Sequence, residues 1–137
     1  MLSDEALGEI LRSSRRIAVV GLSPDPLRPS HEVAAYLQTA GYRIIPVNPN
    51  AAQVLGERAL PDLRAAAAGG PIDIVDVFRR SEAVPALLGD CLLLRPRLVF
   101  LQVGVRDEGF ARRLEAEGIP VRMDRCLMVD HHHLLRG

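Results

Sequence analysis

Residues 44–50, Ile-Ile-Pro-Val-Asn-Pro-Asn, join a short apolar run to a polar pair set among prolines. The chain has only two asparagines, and both of them, Asn48 and Asn50, lie in this stretch. An apolar, β-branched run followed by Pro and Asn predicts a buried strand that ends in a shaped loop. Because ligands of open α/β sheets bind at the carboxyl ends of the strands, the stretch also indicates where a site would lie.

Four other apolar runs, spaced evenly along the chain, have the composition of buried strands. Continuous rather than alternating hydrophobicity indicates strands covered on both faces, as in a parallel sheet. Strands that alternate with helical segments at this spacing predict right-handed βαβ units. We therefore expect an α/β fold, a three-layer, doubly wound parallel sheet of Rossmann-like type, with residues 1–137 forming a single domain. The four runs are residues 17–20, 72–77, 98–103 and 119–123.

Capping residues and apolar stripes predict the helices between these strands. Ser30 has the character of an N-cap and Gly41 that of the first residue past a helix, so we expect a helix between them. Asp107 is suited to cap a helix that ends at Gly118. Further helices are predicted at residues 3–13, at 62–68, and after Ser81, where residues 84–92 carry an apolar stripe.

The composition excludes several classes of function. Seventeen basic residues balance seventeen acidic ones, so no strong field is available to attract nucleic acid or a membrane surface. No apolar stretch is long enough to span a bilayer, and the acidic N-terminus is unlike a signal peptide. The two cysteines form neither a disulfide framework nor a metal-binding spacing, which predicts a cytoplasmic protein with reduced thiols and no metal.

The loop after the first predicted strand, residues 21–31, has the chemistry of a phosphate site. A glycine at a strand end lets a ligand approach the backbone, and the amides at the start of the next helix can hold phosphate. Ser23, Arg28 and Ser30 add two hydroxyls and a guanidinium. The alternative is an ordinary βα loop made rigid by its three prolines, and the residues alone leave both interpretations open.

Two common nucleotide signatures are missing. The dinucleotide pattern G-x-G-x-x-G is reduced to Gly21, and Asn48 stands where NAD-binding proteins carry an acid for the ribose. The Walker pattern is excluded because the chain has no Lys. An NAD(P)-binding enzyme or redox sensor therefore remains only as the alternative interpretation.

Taken in order, several motifs of the chain resemble those of the CoA-binding domain family. These are small proteins similar to the nucleotide-binding domain at the start of the succinyl-CoA synthetase α subunit. Single motifs are weak, but PVNP followed by DVFRR and then LQVG is a specific order. The matching segments are residues 19–24, 28–30, 41–42, 45–49, 56, 72–80, 101–104 and 123–126.

The resemblance implies that coenzyme A, free or as a short acyl-CoA, lies across the carboxyl ends of the central strands. The loop after the first strand would face the diphosphate, the second loop would line the adenosine, and the next two would flank and close the crevice. By position, Gly21, Ser23, Arg28 and Ser30 serve the diphosphate, Val47, Asn48 and Pro49 the adenosine, Val77, Phe78 and Arg79 the flank, and Gln102 and Gly104 the next turn.

Arg79 is a further candidate, for the 3′-phosphate of CoA, by its position alone; the alternative is that Arg79 and Arg80 are a solvated pair. One departure from the family pattern is Phe100, where Trp is common, and we expect this exchange to change packing rather than binding. Since no ligase domains accompany the motifs, the resemblance implies CoA binding and does not imply ligase activity.

The cysteines, aspartates and histidines give weaker signals. Cys91 lies on an apolar helical stripe and is expected in the core, whereas Cys126 is a candidate for a mixed disulfide with CoA because Arg122 and Arg125 are near it in sequence. The aspartates indicate no catalytic set, since Asp73 and Asp76 are three residues apart in one strand and face opposite sides. Residues 131–133, three histidines, read as a solvated helix end.

These signals favour a binding module for a small molecule, with no catalytic residue that we can name. Two rivals besides NAD(P) binding are a scaffold whose crevice is vestigial and an acyl-CoA enzyme that needs a partner chain. The composition favours no nucleic-acid or membrane partner and leaves room for a protein partner or a homo-oligomer.

Overall fold

The structure is a computed structural model that describes residues 2–136, and parallel strands form the centre of the molecule. The strands of this sheet are Arg16–Val20 (β1), Arg43–Val47 (β2), Ile74–Val77 (β5), Leu98–Leu101 (β6) and Val121–Arg122 (β7). They pair in the order β2-β1-β5-β6-β7, and every pairing is parallel. β1 lies between β2 and β5, with Ile17 in register with Ile44 and Ile74.

Helices cover both faces of this sheet and make three layers. The helices are Asp4–Ser13 (α1), Pro29–Thr39 (α2), Leu63–Ala67 (α3), Leu88–Leu94 (α4), Glu108–Ala116 (α5) and Leu127–His131 (α6), with a 3-10 helix at Ser81–Leu87 and a π-helix at His132–Arg136. One apolar cluster joins α1, α2 and α6 to one face of the sheet, and the other joins α3, α4 and α5 to the opposite face.

The predicted α/β class, with its doubly wound parallel sheet of Rossmann-like type, is confirmed. The strands carry β-branched and apolar residues that are buried on both faces, as the uninterrupted runs indicated. In the described residues, none of the helices combines the length and the apolarity that crossing a membrane takes.

Several boundaries differ from those predicted. The runs at 72–77, 98–103 and 119–123 are strands only over 74–77, 98–101 and 121–122. The segment after Ser81 begins as a 3-10 helix because Pro85 has no amide to donate, and it becomes α-helical only at Leu88. A two-stranded antiparallel hairpin, Gln53–Val54 (β3) with Glu57–Arg58 (β4), was not predicted.

Of the two predicted N-caps, Asp107 is confirmed and Ser30 is wrong, while Ser3 and Asp62 are caps that were not predicted. The side chains of Ser3, Asp62 and Asp107 accept hydrogen bonds from the first turns of α1, α3 and α5. Ser30 is not an N-cap: α2 already begins at Pro29, whose fixed φ suits a first helical position, and the hydroxyl of Ser30 bonds elsewhere.

Pro46 lies inside β2 without breaking the sheet, because β2 is an edge strand. Its carbonyl accepts the amide of Leu60, and the amide of Asn48 donates to the carbonyl of Leu60, so this side of β2 is closed by a short connection. The missing amide of Pro46 falls on the edge, where no ladder bond from it is needed.

Gly21 ends β1 at its point of closest approach to β5. Its φ is 85°, and a Cβ at this position would overlap the carbonyl oxygen of Phe78 and lie 3.1 Å from the carbonyl carbon. The amide of Phe78 in turn donates to the carbonyl of Val20 at 2.8 Å. Only glycine therefore lets the segments that follow β1 and β5 leave the sheet side by side.

We predict that Gly21→Ala destabilises the protein more than Gly118→Ala does. Both glycines have a φ near 80°, which costs an alanine about 1–2 kcal/mol. A Cβ at Gly118 meets nothing within 4 Å, so only Gly21→Ala adds the overlap, which we expect to cost about 1–3 kcal/mol more. Urea denaturation of the two variants measures the difference, and equal losses would show that the contact with Phe78 imposes no constraint.

Candidate functional site

A cleft of about 770 Å³ lies at the carboxyl ends of β1, β5 and β6. It opens where the chain connections leave β1 for one face of the sheet and β5 for the other, which is where doubly wound sheets place their ligands. Eight of the twelve residues predicted from the sequence line it: Gly21, Ser23, Arg28, Ser30, Phe78, Arg79, Gln102 and Gly104.

Four predicted residues do not line the cleft, and their ligand roles stay predictions. The side chains of Val47 and Val77 are buried in the core cluster that faces α3, α4 and α5. Asn48 holds two loops together: its Nδ2 donates to the carbonyl of Leu22 at 3.0 Å, and its Oδ1 accepts the amide of Asn50 at 2.9 Å. The PVNP stretch, including exposed Pro49, thus has a visible structural role in fixing the loop after β1.

A hydroxyl network shapes the loop after β1. The Oγ of buried Ser30 accepts the amide of Ser23 at 3.0 Å, and the Oγ of Ser23 accepts the amide of Asp25 at 3.0 Å. Each hydroxyl therefore uses its oxygen within the loop and keeps its own proton to donate. Such donors beside the first turn of α2 suit an anionic oxygen.

Three exposed arginines, Arg28, Arg79 and Arg80, line the same cleft. Within residues 2–136 none of them forms an ion pair with a carboxylate, although other arginines at the surface do. The only acidic side chain among the lining residues is Glu32. The wall of the cleft thus carries a net positive charge, which favours an anionic ligand.

A buried polar pair lies at the inner end of the cleft. The Nε2 of Gln102, a lining residue that is 4% exposed, donates to Oδ1 of Asp76 at 2.5 Å. Asp76 is 0% exposed, and its burial raises its pKa to about 7 against the opposing effect of the hydrogen bond from Gln102. The sequence did not indicate this partner of Asp76, because a strand pattern does not show which loop residue returns onto it.

The loop after β6 is fixed by the carboxylate of Asp124, for which the sequence indicated no role. Asp124 has a left-handed φ of 57°, and its Oδ1 accepts the amide of Gly104 at 2.7 Å while its Oδ2 lies 3.5 Å from Arg106. Asp adopts a left-handed φ more readily than most residues, because its short side chain forms hydrogen bonds to nearby backbone. Asp124 thereby holds Gly104 and its neighbours at the rim of the cleft.

Apolar and sulfur-containing residues also line the cleft, and of these only Cys126 was singled out from the sequence. They are Val33, Val103, Val105, Cys126 and Met128.

The reason given for a reactive Cys126 is not supported by the geometry. Arg122 pairs with Asp4 at 3.2 Å and Arg125 with Asp130 at 2.7 Å, so each of these cations already faces a carboxylate. Cys126 is free, partly exposed and placed in the cleft. A mixed disulfide of Cys126 with CoA, formed by exchange with CoA disulfide and release of one CoA thiol, stays a prediction that rests on position.

One histidine of the C-terminal run is not solvated as predicted. His131 is 4% exposed, its Nδ1 is 2.9 Å from the hydroxyl of Tyr36, and its ring meets Tyr36 and Tyr42 edge-on. Packing of α6 against α2 buries it, whereas His132 and His133 are exposed. Asp130 is also buried and bonded to Arg125, although the sequence showed no partner for it.

Fold and cleft together define a Rossmann-like module with a positively charged crevice at its switch point. A family model for the CoA binding domain matches residues 15–132. The chain is 44% identical over 129 residues to the uncharacterized protein YneT of Bacillus subtilis, covering 94% of each chain. It therefore belongs to the CoA-binding domain family.

Solved structures share this fold. A protein from Thermus thermophilus is 43% identical, with a TM-score of 0.92 over 98% of this chain and 100% of that one. A dinucleotide-forming acetyl-coenzyme A synthetase from Ca. Korarchaeum cryptofilum, at 21% identity, has a TM-score of 0.70 over 85% of this chain and 28% of its own. At that identity the likeness shows a shared fold and nothing further.

We predict that the two thiols differ sharply in reactivity. Cys91 is 0% exposed, as expected for a core residue, and its burial, with the negative charge of Asp90 as a smaller cause, raises its pKa to about 12. At pH 8 roughly one Cys91 in ten thousand would then be a thiolate, whereas Cys126 opens into the cleft. A thiol reagent such as dithionitrobenzoate should label one cysteine in the native protein and the second only in denaturant. Rapid native labelling that persists in Cys126→Ser would contradict this assignment.

Proposed function

We propose that this protein binds coenzyme A, or a short acyl-CoA, in the cleft at the carboxyl ends of β1, β5 and β6. The observation that carries the proposal is the set of cleft arginines that have no carboxylate partner within residues 2–136, in a member of the CoA-binding domain family. CoA has a diphosphate and a 3′-phosphate, so its nucleotide end requires several cations and hydrogen-bond donors.

The nucleotide end is proposed to lie along the loop after β1. Gly21 lines the start of this loop with its amide already bonded to the carbonyl of Val47, whereas the hydroxyls of Ser23 and Ser30 have protons to donate to phosphate oxygens. Arg28 adds a fork-shaped cation at the start of α2. Asn48, which is bonded to the carbonyl of Leu22, keeps this loop in place beside the adenosine.

The pantetheine arm is proposed to lie along the apolar residues that line the cleft. Val103 and Val105, beside Gly104, offer apolar contacts for its methylene and dimethyl groups, and Met128 can adapt to an acyl chain. The thiol end of CoA would then lie near Cys126, so a mixed disulfide made by exchange of Cys126 with CoA disulfide, which releases one CoA thiol, remains among the predictions.

We infer a binding role rather than a catalytic one. The carboxylates Asp124 and Asp130 are already committed to loop and ion-pair bonds, and we assign no nucleophile with a neighbouring base. The free cysteines, Cys91 and Cys126, fit the reducing cytoplasm that we propose as its location.

A thermal-shift and calorimetry series with CoA, dephospho-CoA and NAD tests the proposal. A ligand that binds only the folded state adds about 2.7 kcal/mol at one hundred times its dissociation constant. We therefore expect CoA to raise the melting temperature by several degrees and NAD to leave it unchanged. A shift with NAD alone would favour the dinucleotide alternative, and the absence of any shift at millimolar CoA would leave the cleft without this ligand.

Arg79 is proposed to hold the 3′-phosphate, and Arg79→Ala should therefore weaken CoA more than dephospho-CoA. Loss of a hydrogen-bonded ion contact costs about 1.5–3 kcal/mol, or at least tenfold in affinity. Arg112→Ala is the matched control, because Arg112 is an exposed arginine of α5 outside the cleft. If Arg79→Ala weakens both ligands equally, Arg79 does not read the 3′-phosphate, although the binding site itself can still be correct.

A further inference from the structure

Asp76 is a carboxyl group in the middle of the sheet. It lies on β5 in register with Val19 of β1 and Phe100 of β6, and it is 0% exposed. Its Oδ1 accepts the Nε2 proton of Gln102 at 2.5 Å, while its Oδ2 has no hydrogen-bond partner among the described residues. A buried carboxyl group with one oxygen that accepts no hydrogen bond is unusual and needs an explanation.

Gln102 connects this buried carboxyl to the cleft. It follows β6 directly, is nearly as buried as Asp76, and is one of the residues that line the cleft. Its carboxamide has two chemically opposite ends, a donating NH₂ and an accepting oxygen. Because Asp76 takes one end, the other end is the one left for a ligand.

We propose that Asp76 is a positioning residue that decides which end of the Gln102 carboxamide is offered to the ligand. An ionised Asp76 only accepts hydrogen bonds, so it takes Nε2 and leaves Oε1 to accept an N–H of the ligand. This inference rests on the proposed function and deepens it, since CoA carries such groups in its pantetheine amides and its adenine amino group.

A neutral Asp76 reverses the arrangement. It gains an O–H to donate, and an unpartnered buried donor is less tolerable than an unpartnered carbonyl oxygen. The Gln102 carboxamide then turns over, gives Oε1 to Asp76 and offers NH₂ to the cleft. A ligand N–H loses its acceptor, so ligand binding is linked to proton release from Asp76.

The surroundings of Asp76 allow both states near neutral pH. Burial raises its pKa to about 7, and the hydrogen bond from Gln102 opposes the rise. No charged neighbour is a cause of the shift. Elements that cover this face of the sheet carry these titratable or charged groups: Asp4, Glu5, Glu9 and Arg12 on α1, His31, Glu32 and Tyr36 on α2, Cys126 and Arg125 before α6, Asp130 and His131 on α6, and Arg28 and Arg79 in the loops.

The test measures the affinity for dephospho-CoA between pH 5.5 and 8.5 by calorimetry. This ligand is chosen because the 3′-phosphate of CoA itself titrates near pH 6. In the wild type we expect binding to tighten roughly three- to tenfold as the pH rises from 6 to 8, the worth of one hydrogen bond. Asp76→Asn, which keeps the shape of the side chain but not the titration, should abolish this rise, and Gln102→Met should weaken binding and abolish it too.

A second readout needs no ligand and separates the two failures. The side-chain amide resonances of Gln102 in ¹⁵N-labelled protein should shift with a midpoint near pH 7 in the wild type and not in Asp76→Asn. Binding whose affinity is the same at every pH, or amide resonances that do not move, overturns the role of Asp76 alone. Titrating amide resonances without binding at any pH overturn the proposed function, and the ligand role of Gln102 with it.

Discussion

The close approach of the Phe78 carbonyl to Gly21 is the contact on which the cleft depends. It brings the ends of β1 and β5 together where the chain turns toward opposite faces of the sheet, and no side chain larger than hydrogen fits between them. The amide of Gly21 also donates to the carbonyl of Val47, so the same glycine joins three neighbouring strands at one level. The loops that carry the cleft residues therefore start from a fixed edge.

The polar residues around this edge are held mainly by one another. Ser30, Asn48 and Asp124 each accept or donate a hydrogen bond that fixes a loop, and these are the residue types that sequence inspection would otherwise assign to a ligand. Their engagement has a useful consequence, because loops that are already ordered lose little entropy when a ligand binds. The arginines differ, since Arg28, Arg79 and Arg80 have no carboxylate partner in the described part of the chain. The two groups divide the labour between shaping the cleft and attracting an anion.

The sheet could be predicted from the sequence because it depends on local pattern. Uninterrupted apolar runs such as Leu98–Leu101 are buried on both faces, and single capping residues such as Asp107 fix helix starts. The cap assigned to Ser30 was wrong because its hydroxyl oxygen accepts the backbone amide of Ser23, seven positions earlier, rather than an amide of the helix. The pairing of Asp76 with Gln102 and the burial of His131 against Tyr36 depend on which loops and helices return to the same face, and no local pattern encodes this.

The central claim is that the strand ends between Gly21 and Gly104 form the cradle for CoA. Backbone amide NMR of the ¹⁵N-labelled protein during a titration with CoA tests this most directly. The account predicts the largest shift changes in residues 21–30, 78–80 and 102–105, with α3 and α5 nearly unchanged. Shift changes concentrated on α3 and α5, or a spectrum that does not change at saturating CoA, would contradict it.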